Sequence, residues 1–352
     1  MQSAKKERVL AVLSGEIPDR VPIFEYLIHD GVFGRLGADL VSAGDALGHI
    51  AACARCLDIC HPVGGPYNPG ETTNEDGSVT IFERWMSWHV PAPPQNLPPE
   101  QVEAGLKAHI EYLEGVRGGK YPSKEALLEA HRATEAAAGD MLYIAISAGV
   151  ALPFCNKEDE MLAYADYPGL TEERLRLENA LTLERLQATA YKELSPVAII
   201  WDDIAYKNAL FYPPEVLERI IFPPLAQICD LLHSRGIKVI FHSDGDVTPV
   251  LPSLARCGID GFNPLEIGAG MGYDTFNREC GGKVALVGGM DAVGVLAHGT
   301  VDEVVAETRR LIDTAGRHGG LIAASSSGQI DMGMPTENVM AYFETIWEYG
   351  RY

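Results

Sequence analysis

His242 and Asp244 stand two residues apart where the apolar run Lys238–Phe241 ends. Imidazole and carboxylate are both ligands for a divalent ion such as zinc, and they also form hydrogen-bonded pairs that merely shape a turn. Glu266, just after Asn263–Pro264, can add an oxygen donor, so His242, Asp244 and Glu266 are the candidate metal ligands. A second acidic site, Asp202–Asp203, closes the run Val197–Trp201. Successive side chains of a strand point to opposite faces, so at most one of these acids faces a site. Asp203 is expected to do so, with Tyr206 as its neighbour, while Asp202 is expected to cap a helix or meet solvent.

Similar groups follow other apolar runs. Glu25, Tyr26 and His29 follow the first, His61 the second and Ser147 the third. Asn263 and Glu266 follow the sixth, Asp291 the seventh, and Ser325–Ser327 the eighth. Any one of these is an ordinary loop polar group. Their recurrence at nearly every run marks them as a set. Glu25 joins Asp203 and Tyr206 as a candidate catalytic residue, and Tyr26, His29, Asn263 and Asp291 are candidate substrate contacts. Aromatic side chains that can line a pocket are Phe24, Trp85, Trp88 and Phe211, with Trp85 the substrate-binding candidate.

These residues need elements to hold them. Eight short β-rich runs recur: Val21–Tyr26, Leu57–Pro62, Leu142–Ala148, Val197–Trp201, Lys238–His242, Gly258–Phe262, Val284–Val287 and Leu321–Ala324. Several are continuous Val/Ile/Leu stretches, the pattern of parallel strands covered on both faces. Helical segments lie between them. From Leu217, apolar residues recur at Ile220, Ile221, Leu225, Ile228, Leu231 and Leu232 until Gly236, and Pro223–Pro224 predicts a kink. Thr300 with Glu303 forms a capping box, and Thr171–Leu194 is a long amphipathic helix. Eight alternating units predict an α/β fold, a (β/α)8 TIM barrel, in one domain spanning 1–352. Barrel chemistry sits just past the strand ends. The long stretch between the second and third strands, with hairpin-like alternation over Val79–Val90 and a proline-rich turn at Pro91–Pro99, reads as an excursion over the barrel mouth.

Composition narrows the partners. Forty-nine acidic against 28 basic residues give a net charge of −21, which repels phosphate backbones and anionic membranes. Nucleic acid and membrane are not expected partners. Met1–Arg8 is polar, with no apolar leader, so the cytoplasm is the expected compartment. The seven cysteines read as thiols, and Cys53, Cys56 and Cys60 as small buried apolar groups rather than a metal cluster.

Taken together, several segments resemble the uroporphyrinogen decarboxylase superfamily. They are Asp19–Arg20–Val21–Pro22–Ile23, Asp202–Asp203 with Pro213–Pro214–Glu215, His242–Ser243–Asp244–Gly245, Gly288–Gly289–Met290–Asp291 and Pro335–Thr336–Glu337–Asn338–Val339. The resemblance implies either cofactor-free decarboxylation or methyl transfer involving a corrinoid protein. True decarboxylases carry an arginine-rich segment near the N-terminus. Here that region, Phe24–Asp30, is acidic, although Asp58 resembles the aspartate that holds the pyrroles. The thiol-methylating branch binds zinc through His-x-Cys and a later Cys. Here Asp244 replaces the first Cys and Ser325–Gly328 has no Cys, which makes the site harder.

A harder site suits an ether oxygen. The expectation is a methyltransferase that takes a methyl group from a small methoxylated compound, aromatic ones included, to a corrinoid supplied by a partner protein, with zinc as the metal. The resemblance also suggests a homodimer. The alternative is a decarboxylase or lyase acting on a smaller acid through Lys207 and Arg84. A third reading is a non-catalytic barrel that binds a tetrapyrrole.

Overall fold

The computed structural model describes residues 4–61, 65–92, 97–153, 158–326 and 329–352. Expectations placed on Pro62, Cys155, Ser327, Gly328 and the middle of Pro91–Pro99 lie outside these residues.

The strands are β1 (Leu27–Ile28), β2 (Ile59–Cys60), β3 (Gly70–Thr73), β4 (Val79–Phe82), β5 (Ser87–Val90), β6 (Leu142–Tyr143), β7 (Ile146–Ala148) and β8 (Val197–Trp201). They continue with β9 (Ala205–Tyr206), β10 (Ala209–Leu210), β11 (Lys238–His242), β12 (Gly261–Asn263), β13 (Ala285–Met290), β14 (Leu321–Ser325) and β15 (Ile330–Asp331). The core sheet runs β7–β8–β11–β12–β13–β14, and every neighbouring pair is parallel. β2 pairs in parallel with β6. Isolated parallel bridges join Ile23 to Ala323 of β14 and Phe24 to Ile59 of β2. The fold is therefore α/β with parallel strands.

Two of the expected runs, Val197–Trp201 and Lys238–His242, form strands with those bounds. Leu142–Ala148 is split because it changes partner midway, β6 lying on β2 and β7 on β8. Val21–Tyr26 contributes two bridges rather than a ladder. Between β2 and β6, Val79–Val90 forms the antiparallel pair β4–β5, with Ile81 opposite Trp88. A third strand, β3, joins them; it is exposed along its length and so carries no apolar signal in the sequence.

Helices follow the strands. The stripe from Leu217 begins as a π-helical turn, Leu217–Ile221, and continues as an α-helix, Phe222–Ser234. The two prolines lie in the first turn of the latter, where absent N–H groups cost least, and the ladder changes register just before them. Thr300 and Glu303 cap Val301–Leu311 reciprocally, with Glu303 N donating to Thr300 Oγ1 at 3.3 Å and Thr300 N to Glu303 Oε2 at 2.7 Å. The long helix runs Pro168–Thr189.

Strand alternation sorts the apolar side chains into two clusters. One holds Phe24, Ile59, Leu142, Ile144, Val197, Ile199, Ile240, Val287, Ile322 and Ala324, together with Val9, Val12 and Leu13 of helix α1 (Lys5–Leu13). The other holds the alternate residues, such as Ile200, Phe241, Phe262 and Leu286, packed against the remaining helices. Each fully buried Val, Leu or Ile contributes roughly 1.5–3 kcal/mol, so α1 is fastened firmly to the N-terminal ends of the strands. Gly261 shows how closely it fits: a Cβ there would lie 3.0 Å from Leu13 Cδ2.

Candidate active site

Following the α1-side residues toward the strand C-termini brings four rings together. Tyr26 continues from Phe24, His61 from Ile59, Trp201 from Ile199 and His242 from Ile240. Ring centroids lie 4.3 Å apart for Trp201–His242, 4.9 Å for His61–Trp201, 5.4 Å for Tyr26–Trp201 and 5.5 Å for Tyr26–His61. The Trp201 indole N–H donates to His61 Nε2 at 3.2 Å. These rings form an aromatic floor over the apolar cluster.

Two residues further along the same parity stand Asp203 and Asp244. His242 Nε2 faces Asp203 Oδ1 at 3.8 Å and Asp244 Oδ1 at 3.9 Å. The three residues offer ligand atoms within 4.8 Å of one another. His242 Nδ1 is hydrogen-bonded to Asn263 Oδ1 at 2.7 Å, across the β11–β12 register. Burial lowers the His242 pKa, favouring the neutral imidazole. Burial first, then repulsion from Asp203 and Glu266, pushes the Asp244 carboxyl up to about 7. Its Oδ1 is buried and without a hydrogen-bond partner. Three acceptor atoms too far apart to hydrogen-bond, one of them orphaned, fit around a divalent cation. Asp203, His242 and Asp244 would hold it.

The loops are sewn together by backbone contacts. Asp244 N donates to Asp203 Oδ1 at 3.0 Å, Ile204 N to Ser243 Oγ at 3.1 Å and Asp246 N to Lys207 O at 2.7 Å. Gly245 has a φ of +78°, and a Cβ there would lie 2.6 Å from Tyr206 N, so glycine alone lets the β9–β10 hairpin rest on this loop. Gly245 N donates to Glu266 Oε2 at 2.7 Å.

The sequence-derived candidates therefore divide. Asp203, His242, Asp244, Asn263 and Tyr26 converge. Glu266 holds the Gly245 amide beside the cluster and is not among the three residues whose ligand atoms lie within 4.8 Å of one another. Glu25 falls on the other face, as its position between Phe24 and Tyr26 requires. There its carboxyl accepts from Ser325 N at 2.7 Å and Ser325 Oγ at 2.9 Å, and full burial pushes it up to about 8. It is buried against Ser325, apart from this cluster. His29 is also committed, as Nδ1 accepts from Val32 N at 3.3 Å at a helix start and Nε2 donates to Met334 O at 2.8 Å. Trp85 is only 5% exposed and packs against His49 and Phe33. Asp291 caps the turn Ala292–Leu296 by accepting from Gly294 N at 2.8 Å. Tyr206 is 58% exposed and stacked on Phe211, outside the cluster. Asp202 is neither solvated nor a helix cap: it is buried and accepts from Val150 N at 2.7 Å.

His61 and Trp201 were readable as strand-end residues but not as partners. The signal for them was parity, two positions beyond Ile59 and Ile199. Asp58 lies at the opposite end of β2 from His61. It is fully buried between Arg8 and Arg20, and its Oδ2 accepts from Ile23 N at 2.9 Å. The segment Asp19–Ile23 thus serves an ion-pair network at the strand N-termini, where Arg8 Nη2 also donates to Asp19 at 3.0 Å. Cys53, Cys56 and Cys60 are buried thiols, as expected.

Comparison with known proteins fits this geometry. Residues 187–349 match the uroporphyrinogen decarboxylase (URO-D) family. The matched URO-D region contains Asp203, His242, Asp244 and Asn263, so the resemblance read from the motifs holds over the part of the chain that builds the cluster. No curated protein matches the sequence. Among solved structures, a methyltransferase from Methanosarcina mazei is similar over 98% of this chain and 99% of its own, at 19% identity and a TM-score of 0.65. It shares the fold. A chitinase from Chromobacterium violaceum aligns over 93% of this chain and 98% of its own at 10% identity, with a TM-score of 0.37. Among the described residues no helix is long and apolar enough to cross a membrane.

Proposed function

We propose that this chain is a methyltransferase that takes a methyl group from a small methoxylated compound and passes it to a corrinoid carried by a partner protein. We further propose that it is one domain, with the parallel strands and the bridges at Ile23 and Phe24 closing as a (β/α)8 barrel. The observation that carries the functional reading is the convergence of Asp203, His242 and Asp244 above an aromatic floor, a donor set of one nitrogen and two carboxylates. The likeness to the Methanosarcina mazei methyltransferase supports it.

Cleaving a methyl ether leaves the bonding pair on oxygen, so the departing oxygen needs a Lewis acid or a proton. A divalent ion bound here, with zinc the first candidate, would supply that Lewis acidity. Asp203, His242 and Asp244 would hold it, Asn263 and Trp201 fix the imidazole, and Tyr26 with Trp201 offers aromatic faces to the methoxylated compound. Without an ion, the Asp244 carboxyl, pushed up to about 7 by burial, would be the proton donor within the cluster.

The decarboxylase reading is favoured less by the placement of its carboxylate partners. Arg84 is engaged by Asp30 and the Val41 carbonyl, and Lys207 lies over the exposed Tyr206 ring. Asp58 is locked in its ion pairs at the far end of the strand.

The test is the metal content of purified protein, wild type beside His242→Ala, followed by a screen of methyl ethers with a reduced corrinoid. Near-stoichiometric metal lost in the variant, with methyl transfer only in the metal-loaded wild type, is expected. Turnover of an acid to carbon dioxide without metal or corrinoid would overturn the proposal.

A further inference from the structure

We infer that Asn263 is a positioning residue that holds His242 in one tautomer, with the proton on Nδ1 and the bare Nε2 lone pair turned toward Asp203 and Asp244. The inference rests on the proposed metal centre only in its last step, the consequence for ion binding.

The chemistry of the neighbours fixes the amide's orientation. Asn263 is fully buried on β12, and its Nδ2 donates to the Val287 carbonyl at 2.7 Å. A carbonyl can only accept, so the amide nitrogen must lie on that side and Oδ1 on the other. Oδ1 then faces His242 Nδ1 at 2.7 Å. An amide oxygen can only accept as well, so Nδ1 is the nitrogen that bears hydrogen. In a neutral imidazole this leaves Nε2 without one.

The other degrees of freedom of the ring are also restrained. His242 and Asn263 are direct partners across the β11–β12 register, and Ser243 N donates to Asn263 O at 3.0 Å. The Trp201 indole covers the imidazole with centroids 4.3 Å apart. The lone pair therefore has one direction, into a space that already holds Asp203 Oδ1 at 3.8 Å and Asp244 Oδ1 at 3.9 Å. The opposite tautomer would place an N–H there, giving the two carboxylates a donor and closing the space to a cation. Asn263 keeps the set all-acceptor. This is the arrangement in which a neighbour on one imidazole nitrogen makes the other a ligand.

The decisive measurement is made on the metal-free wild-type protein with histidine nitrogens labelled with ¹⁵N, at mildly alkaline pH. The His242 shifts, assigned by their loss in His242→Ala, should show a protonated Nδ1 and an unprotonated Nε2. A protonated Nε2 would overturn the inference whatever the protein's activity. Asn263→Leu, which removes the acceptor at similar size, should mix the tautomers and weaken cobalt(II) binding, read from its visible absorption, by about 10- to 100-fold. Asn263→Asp keeps the acceptor oxygen toward Nδ1, although it gives up the donor to Val287 O, and should keep the tautomer that Asn263→Leu loses. Unchanged cobalt affinity in Asn263→Leu would refute the role of Asn263 in ion binding. If wild type shows the expected tautomer yet takes up no cobalt, the metal-centre proposal fails and the tautomer assignment stands.

Discussion

Among the described residues no cation faces the Glu25 carboxyl, which is held by the Ser325 amide and hydroxyl and lies next to the buried Tyr342. Its burial raises it from 4.5 to about 8. In that window the folded chain keeps a proton that the unfolded chain has lost, so stability is fully present below about 4.5 and declines as pH rises to about 8. The loss amounts to a few kcal/mol, on the order expected for a shift of several units. Glu25→Gln should flatten this decline and make the protein at least as stable as wild type at mildly alkaline pH. Urea melts across the window check it, and an equally steep decline in the variant would show that Glu25 is not the cause. The same residue shows how face assignment governs function: it precedes Tyr26 by one position, yet the two share no environment. Strand-end position was legible in the sequence. The face was not, because Val21–Tyr26 is apolar on both sides and no alternation marks its register.

At the level of elements, both ends of the parallel strands carry polar groups, and the two sets do different work. Asp58, Arg8, Arg20 and Asp19 close the N-terminal ends. Asp203, His242 and Asp244 occupy the C-terminal ends. Removing one partner of a buried ion pair leaves an uncompensated charge, at a cost of about 3–5 kcal/mol. Asp58→Asn should therefore lower stability by about that amount while the folded fraction keeps its metal uptake. Were Asp58 a substrate contact, activity would fall with little change in the urea midpoint. The Asp19–Ile23 motif was visible in the sequence, but its task was not, since the partners Arg8 and Asp58 are distant along the chain. The strands β8 and β11, the capping box at Thr300 and the helix-period stripe beyond Leu217 were legible because local patterns set them. β3 was missed because an exposed strand has no apolar alternation to read. The cluster itself was half legible. His242 and Asp244 share one motif, whereas replacing Glu266 by Asp203 as the third member needs the spatial pairing of β8 with β11.

For the whole molecule, the net charge of −21 shapes encounters. A partner that docks productively has to present a basic or neutral face, and attraction over several ångströms then speeds its approach. Association with the proposed corrinoid protein should slow by about tenfold or more between low and physiological ionic strength, as the Debye length shrinks to about 8 Å. Stopped-flow mixing at several salt concentrations measures this, and a salt-independent rate would show that the charge plays no part in docking. Helix α1 adds a consequence of another kind. Among the described residues, Val9, Val12 and Leu13 fill the N-terminal end of the inner cluster, so in the proposed barrel access would be from the other end. In the proposed reaction a small methyl donor and a bulky methyl acceptor would both use that end. Once the larger one is seated, the smaller cannot pass, so the donor boards first and its demethylated remnant departs last. The proposed turnover would then be a queue, its compulsory order set by the helix that plugs the far end.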